Sequence, residues 1–206
     1  MTSGWNGSPS DGPPPYPGGM IAAVRAYWEA LRDGDSLPRR AQVDPRGIAN
    51  ALENTFLIER VAPGIARFRI AGLLYNDLMG MDIRGMPLSC LFLGPARDSL
   101  QTDLEHLFST PAALSLTLVA ERRLGRLPLR ARLQILPMLD RSDACTLALG
   151  CIETLGEIGR VPCRFGIAEA RLTPLGAAAA SNAAPIAAPR PPRAVAGVPH
   201  LRLVKA

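Results

Sequence analysis

The sequence predicts an α+β domain, in which short helices cover one face of an antiparallel sheet and a separate helix precedes it. Five segments have the pattern of strands, two early and three later: 56–59, which is mostly apolar, and 66–71, 113–121, 126–139 and 144–155, in which apolar residues recur at every second position. Residues typical of turns lie within each group, and apolar residues between the groups recur at helical spacing. Strands joined by hairpins indicate an antiparallel sheet.

The first element is a helix over about 20–32. Ile21, Val24, Trp28 and Leu31 recur at the spacing of one helical face. The Asp33-Gly34 pair is expected to end this helix, because glycine readily adopts the left-handed conformation of a helix C-terminus.

A second short helix is expected from Asp44 to Leu52, since Asp44 is suited to cap it and Pro45 fits the first helical position. The first strand then follows, with Phe56 and Ile58 pointing inward. Pro63-Gly64 turns the chain into the second strand. Strict alternation there places Phe68 and Ile70 on one face and the intervening arginines on the other.

Between the two strand groups, Leu73 to Met79, residues 86–93 and residues 96–108 show helical spacing. The last of these has Leu100, Leu104 and Leu107 on one face. Three strands follow, with turns at Gly125 and at the polar residues 140–143. The third strand alternates through Cys145, Leu147, Leu149 and Cys151, and we expect Leu147 to line the pocket.

The composition divides the chain into four parts. Residues 1–19 are almost all Gly, Pro, Ser and polar residues, so we expect a disordered tail, and translation starting at Met20 is an alternative to Met1. The domain extends over 20–157, and a short extension over 158–174 contains one more ordered segment, 165–172. Residues 175–206 form a basic, Ala/Pro-rich tail that we expect to be mostly disordered.

The formal net charge of +5 comes from the end of the chain. Residues 158–206 contain seven basic residues and one acidic residue, whereas the preceding part is nearly neutral. Nucleic-acid binding through this tail is therefore the alternative function. We do not expect it, because the charge is spread thinly over the segment among prolines and alanines.

The cysteines favour a reducing compartment. Cys90, Cys145, Cys151 and Cys163 form no CxxC pair, so neither a disulfide framework nor a zinc site is expected. The sequence shows no secretory signal and no apolar run of roughly 18 residues that would span a membrane. We expect a cytoplasmic protein without a membrane segment.

The order of elements resembles the PAS domain, and in particular a bacterial subgroup of stand-alone PAS-like domains. The residues that carry this resemblance are Tyr27-Trp28, Leu31-Arg32-Asp33-Gly34, Leu37-Pro38-Arg39-Arg40, Val43-Asp44-Pro45, Phe56-Leu57-Ile58-Glu59, Arg67-Phe68-Arg69-Ile70-Ala71-Gly72, Gly80, Ile83-Arg84-Gly85-Met86-Pro87-Leu88, Ile135-Leu136-Pro137-Met138 and Leu149-Gly150. The resemblance implies a PAS-like five-stranded antiparallel sheet with helices that enclose a central pocket. It also implies sensing, partner binding or dimerisation without catalysis.

Neither haem nor a flavin is expected as a cofactor. Haem needs an axial ligand, for which His106 is the sole candidate within the domain, and His106 lies off the apolar face of its predicted helix. Cys163-Arg164-Phe165 matches part of the flavin-binding motif of LOV domains. It follows Pro162 instead of asparagine and is expected to lie after the last strand, outside the pocket, so we interpret it as coincidence.

The sequence therefore predicts a regulatory sensor or protein-interaction module without intrinsic catalysis, in which a small apolar ligand or a partner alters contact with a downstream regulatory protein. The residues expected to line the pocket are Phe56, Ile58, Phe68, Ile70, Leu78, Leu91, Leu107, Leu116, Leu133 and Leu147. A closed, filled core made of the same side chains is the alternative. Val24, Trp28 and Leu31 are expected to contact a partner or a second subunit of a homodimer, although Trp28 packing on its own sheet is equally consistent with the sequence.

Overall fold

The order of elements follows the sequence-based expectation, with one strand added at the end. The computed structural model describes residues 19–121 and 127–175. The expected turn at Gly125 and the two expected tails, apart from Gly19 and Leu175, lie outside the described residues.

Three α-helices and six strands are described. The helices are α1 (Met20–Ala30), α2 (Leu73–Met79) and α3 (Gly94–Ser109), and 3-10 helices span Arg40–Gln42, Pro45–Asn54 and Leu88–Leu91. The strands are β1 (Thr55–Ala62), β2 (Ile65–Ala71), β3 (Ala112–Ala120), β4 (Arg130–Leu139), β5 (Cys145–Leu155) and β6 (Phe165–Pro174).

The strands form one antiparallel sheet in the order β2-β1-β5-β4-β3-β6. The predicted antiparallel sheet is therefore confirmed, and it contains a sixth strand in addition to the five expected. This strand comes from the segment that the sequence analysis placed in a short extension. β6 pairs with β3 over its whole length, so the extension is part of the sheet.

The two faces of the sheet are covered by different helices. The inner face, which carries Phe56 and Ile58, packs against α2, the 3-10 helix Leu88–Leu91 and α3. The outer face, which carries Leu57 and Leu149, packs against α1 and the 3-10 helix Pro45–Asn54. The short helices between the strand groups thus lie on one face as expected, and α1 covers the opposite face.

Local signals in the sequence fix several element ends. The Asp44 carboxylate accepts the Arg46 N–H at 2.9 Å, and Pro45 occupies the first helical position, as expected. Gly80 ends α2 with φ 72°, a left-handed conformation that costs glycine little. The expected helix over 86–93 is reduced to the 3-10 turn Leu88–Leu91.

A β-bulge interrupts the pairing of β1 with β2. Ile58 pairs with Phe68, whereas the neighbouring Leu57 pairs with Ile70, so Arg69 is an extra residue on β2. An extra residue reverses the side-chain alternation beyond it. Phe68 consequently points to the inner face, and Ile70 points to the outer face, where half of its surface is exposed.

Candidate functional site

The predicted pocket wall is a buried cluster on the inner face. Eight of its ten residues belong to this cluster, each with 2% or less of its surface exposed: Phe56, Ile58, Phe68, Leu78, Leu91, Leu107, Leu116 and Leu133. They come from β1, β2, α2, the 3-10 helix Leu88–Leu91, α3, β3 and β4. The structure therefore brings together side chains that are far apart in the sequence.

Aromatic rings fill the centre of this cluster. The Phe56 ring lies 5.3 Å from the Phe68 ring and 5.4 Å from the Tyr75 ring, both edge-on. A Cβ atom on Gly150 would lie 2.0 Å from the Phe56 ring, so the missing side chain at Gly150 makes room for it. The arrangement matches the filled-core alternative that the sequence analysis left open.

Tyr75 is a member of this centre that sequence reasoning did not single out. Its ring is fully buried, and its hydroxyl donates to the Asn54 carbonyl at 2.8 Å. Burial raises the pKa of Tyr75 well above its ordinary value. Its position three residues before Leu78, on the buried side of α2, is the signal that could have identified it.

Two residues of the predicted wall lie elsewhere, and those two predictions are wrong. Ile70 points to the outer face because of the bulge at Arg69. Leu147 is half-buried and packs against the outer-face cluster. β5 is buried on both faces over 148–153. In such a strand the residues on both faces are apolar, so the sequence does not show which of them point to the inner face.

The residues expected at a partner surface instead attach α1 to its own sheet. Val24 and Trp28 are buried in the outer-face cluster, and the Trp28 Nε1–H donates to the Pro137 carbonyl at 3.1 Å. Leu31, which follows α1, is half-buried. The Arg25 and Arg32 guanidinium groups lie 5.8 and 5.4 Å from the centre of the Trp28 ring. Of the two roles weighed for Trp28, the structure shows packing on the sheet.

The two residues weighed as cofactor ligands occupy different environments. His106 is exposed on α3, outside the inner-face cluster. Cys163 lies just before β6 and belongs to that cluster, and its N–H donates to the Leu78 carbonyl at 2.7 Å. The expectation that Cys163 lies after the last strand and away from the interior is therefore wrong, because β6 follows it.

Burial also determines the state of the other thiols. It raises the pKa of Cys145 to about 11 and that of Cys151 to about 12. Burial raises the pKa of Cys90 as well. These three thiols stay protonated near neutral pH, where a thiolate nucleophile would be needed for covalent chemistry.

The outer face of the sheet has a groove lined largely by polar residues. It encloses about 250 Å³ beside the N-terminal end of α1, where the strands β4, β3 and β6 are not covered by the helix. Its lining consists of Ile21, Ser115, Leu116, Thr117, Arg132, Leu133, Gln134, Glu169 and Arg171. Two residues of the predicted wall, Leu116 and Leu133, thus also contribute to this groove.

The Glu153 carboxylate on β5 holds the start of α1 on the outer face. Glu153 is only 4% exposed, and its carboxylate accepts the Ile21 N–H at 3.0 Å. An anion at this end of a helix is favoured by the helix dipole. Nearby, Gln134 donates to Ser115 Oγ at 3.4 Å, and its buried Oε1 has no partner among the described residues.

Sequence reasoning missed this groove. The signal was the polar half of β4 and of the expected ordered segment 165–172, where Arg132, Gln134, Glu169 and Arg171 alternate with apolar residues. A second depression of about 220 Å³ lies between α1 and the 3-10 helix Pro45–Asn54.

Within residues 19–121 and 127–175, no group of three or more His, Cys, Asp or Glu side chains is placed to hold a metal ion.

The comparison with protein families identifies the class of this fold. The sequence model of the PAS domain family matches residues 20–153. This match covers more than half of the chain, so the protein belongs to the PAS domain family. Its antiparallel sheet with helices packed on the inner face is accordingly a PAS fold.

Solved structures with a similar fold include three LOV proteins. A LOV protein of Rhodobacter sphaeroides is 19% identical, with 68% of this chain and 69% of that chain covered and a TM-score of 0.37. A fungal LOV domain photoreceptor is 15% identical, with coverages of 66% and 91% and a TM-score of 0.39. The light-state aureochrome1 LOV structure is 12% identical, with coverages of 54% and 88% and a TM-score of 0.36. No curated protein matches the chain.

Proposed function

We propose that this protein is a regulatory sensory module that changes its contact with a downstream regulatory protein and has no catalytic activity of its own. The observation that carries the proposal is the PAS family match over residues 20–153. We further propose that it acts as a homodimer in the cytoplasm. The spacing of the cysteines supports that location. Among the described residues, no helix is long and apolar enough to cross a bilayer.

The part of the molecule proposed to respond is the segment 73–93, which contains α2 and the 3-10 helix Leu88–Leu91. Few backbone hydrogen bonds join it to the sheet. Gly85 donates to the Phe68 carbonyl at 2.8 Å, Phe68 donates to the Met86 carbonyl at 3.0 Å, and Leu93 donates to the Phe165 carbonyl at 2.9 Å. Apolar packing on the inner face supplies most of its attachment, so it can repack without loss of a long backbone ladder.

The filled inner face determines how a ligand would act. The rings of Phe56, Phe68 and Tyr75 occupy the centre, so a small apolar ligand enters only when α2 moves away from the sheet. A partner that binds the segment 73–93 produces the same displacement from outside. The segment 73–93 then has two arrangements, one packed on the sheet and one displaced from it. The ligand or the partner shifts the population toward the arrangement that it binds more tightly.

The absence of catalysis is proposed from the state of the most reactive groups. The raised pKa values of Cys145 and Cys151 disfavour the thiolate form. His106 is exposed on α3 and away from the groove, whose lining contains no His or Cys among the described residues.

Hydrogen exchange of the full chain tests the proposed responding segment. We expect amides in 73–93 to exchange through local opening, at least about tenfold faster than the core amides of β4 and β5. Equal protection of both regions would show that the segment opens only with global unfolding and would contradict the proposal. Native mass spectrometry of the same sample, with absorbance from 300 to 700 nm, reports any ligand that the purified protein retains.

A further inference from the structure

In the described part of the chain, the two edges of the sheet are covered to different extents. At the β2 edge, Phe68 forms two backbone hydrogen bonds with the segment 85–86. At the β6 edge, the Phe165 carbonyl accepts the Leu93 N–H at 2.9 Å. Beyond Phe165, β3 is the single strand that pairs with β6 in the described part of the chain. With respect to residues 19–121 and 127–175, β6 therefore leaves a long edge open.

The hydrogen-bond pattern identifies which residues face that open edge. Leu175 donates to the Pro111 carbonyl at 3.1 Å, so every second residue before it directs its backbone groups toward β3. Ala170 and Leu172 therefore direct their N–H and C=O groups away from β3. A row of such groups is a template for pairing with another strand.

The charges on β6 are complementary to those of an antiparallel copy of itself. Glu169 and Arg171 flank Ala170, and both side chains are exposed on the outer face beside the groove. Neither takes part in an ion pair with another residue of the described ranges. When two β6 strands pair with Ala170 opposite Ala170, each Glu169 lies opposite an Arg171 of the other copy.

The same charges disfavour the neighbouring registers. Centring the pair on Glu169 or on Arg171 places like charges directly opposite each other, which is destabilising. Centring it on Leu172 places Ala170 opposite Pro174, which has no N–H to donate. The Ala170 register alone combines outward-facing backbone groups at the centre with two oppositely charged pairs.

We propose that two copies of this chain pair through β6, antiparallel and centred on Ala170, so that the two six-stranded sheets become continuous. This inference rests on the homodimer in the proposed function and specifies its surface. The contact is isologous, because the same residues serve both copies. It also places the two outer-face grooves side by side across the two-fold axis.

Charge exchange on the full chain tests this interface. We expect Glu169→Arg and Arg171→Glu each to raise the dimer dissociation constant at least about tenfold, because each variant places like charges opposite each other. The double variant Glu169→Arg/Arg171→Glu should restore dimerisation to within about threefold of the original, since the opposite pairs are re-formed with exchanged signs. Sedimentation velocity over a range of concentrations measures these constants. Asp98→Arg, an exposed charge reversal on α3, is the matched control and should leave the constant unchanged.

Amide exchange gives an independent measurement. The Ala170 and Leu172 amides should be protected in the dimer and should exchange rapidly in the single variants. A dimer that is insensitive to both charge reversals would place the homodimer interface elsewhere and overturn this inference alone. A monomer at all concentrations would overturn the homodimer as well, and leave the proposed sensory role standing. Protection of Ala170 in a monomer would indicate that another part of the same chain covers the edge, and would also overturn the inference.

Discussion

Gly150 and Phe56 show how one residue makes room for another in the inner-face cluster. Phe56 pairs with Gly150 across β1 and β5, and its ring lies over the glycine. Any side chain at Gly150 occupies the space of the ring. The central position of Phe56 therefore depends on a residue that lies nearly a hundred positions later in the sequence.

Gly150→Ala tests this dependence. The new Cβ would lie 2.0 Å from the Phe56 ring, and we expect the free energy of unfolding to fall by about 1–3 kcal/mol through overpacking. Urea denaturation measures the change. Gly159→Ala is the matched control, because no atom lies within 4 Å of a Cβ there.

A double-mutant cycle with Phe56→Leu separates this contact from a general effect of alanine. The smaller side chain leaves room for the Cβ, so the double variant should be more stable than the sum of the two single changes predicts. Additive effects would show that the ring and the glycine do not constrain each other.

Cys151 predicts how stability depends on alkaline pH. Burial raises its pKa to about 12 in the folded protein, whereas an unfolded thiol titrates near about 8.5. The folded state thus holds the proton more tightly, and stability falls as pH rises between these two values. Cys151→Ala should reduce the slope of unfolding free energy against pH from 8.5 to 10, by up to about 1.4 kcal/mol per pH unit. An unchanged slope in urea denaturation across that range would contradict the assigned pKa.

Eight of the ten residues that the sequence patterns predicted for the pocket wall lie in the inner-face cluster, and the two exceptions have physical causes. Ile70 was misplaced because the bulge at Arg69 depends on pairing with β1, which no local pattern encodes. Leu147 was misplaced because β5 is buried on both sides. The open groove was missed because it depends on where α1 stops covering the sheet, which is a property of tertiary packing.

The helix α1 packs on the outer face through Val24 and Trp28, and the Trp28 indole is its largest buried group. Trp28 has none of its surface exposed, and its N–H has the Pro137 carbonyl as partner. The spacing of Val24 and Trp28 predicted the buried stripe of this helix. It did not show whether that stripe meets the chain's own sheet or a second subunit, since both are apolar surfaces.

Trp28→Phe tests which surface the helix meets. Phenylalanine retains an aromatic ring but leaves the Pro137 carbonyl without its donor, so the free energy of unfolding should fall by about 1–3 kcal/mol. Chemical denaturation should show the same loss at low and high protein concentration, and sedimentation velocity should show an unchanged oligomeric state. A loss that grows on dilution would place Trp28 at a subunit contact instead.

β6 is the strand that the sequence pattern did not predict. Phe165 is its one buried residue and the others are exposed or half-buried, and the segment 165–172 was expected only as part of an extension. Pairing with β3 is what makes it a strand. An edge strand needs little apolar surface of its own, and for this reason composition and alternation gave a weak signal.

Among the described residues, β6 is the last element of the fold. The sequence predicted a domain ending near 157, and the family match ends at residue 153. Cys163 and Phe165 nevertheless belong to the inner-face cluster, and Phe165 has none of its surface exposed. β6 also pairs with the edge of β3. A chain without this region leaves both a gap in the cluster and an unpaired strand.

Truncation at two positions tests the contribution of β6 to the whole fold. A chain that ends at Leu175 should unfold within about 1 kcal/mol of the full chain, because it retains every element described. A chain that ends at Gly156 should lose at least about 3–5 kcal/mol and should aggregate more readily, since it lacks Phe165 and exposes the β3 edge. If that shorter chain does not fold, Phe165→Ala in the full chain measures the same packing, with an expected loss of about 3–5 kcal/mol in urea denaturation. If the chain that ends at Gly156 has the same urea midpoint as the full chain, the first five strands are stable without the sixth, and the prediction is wrong.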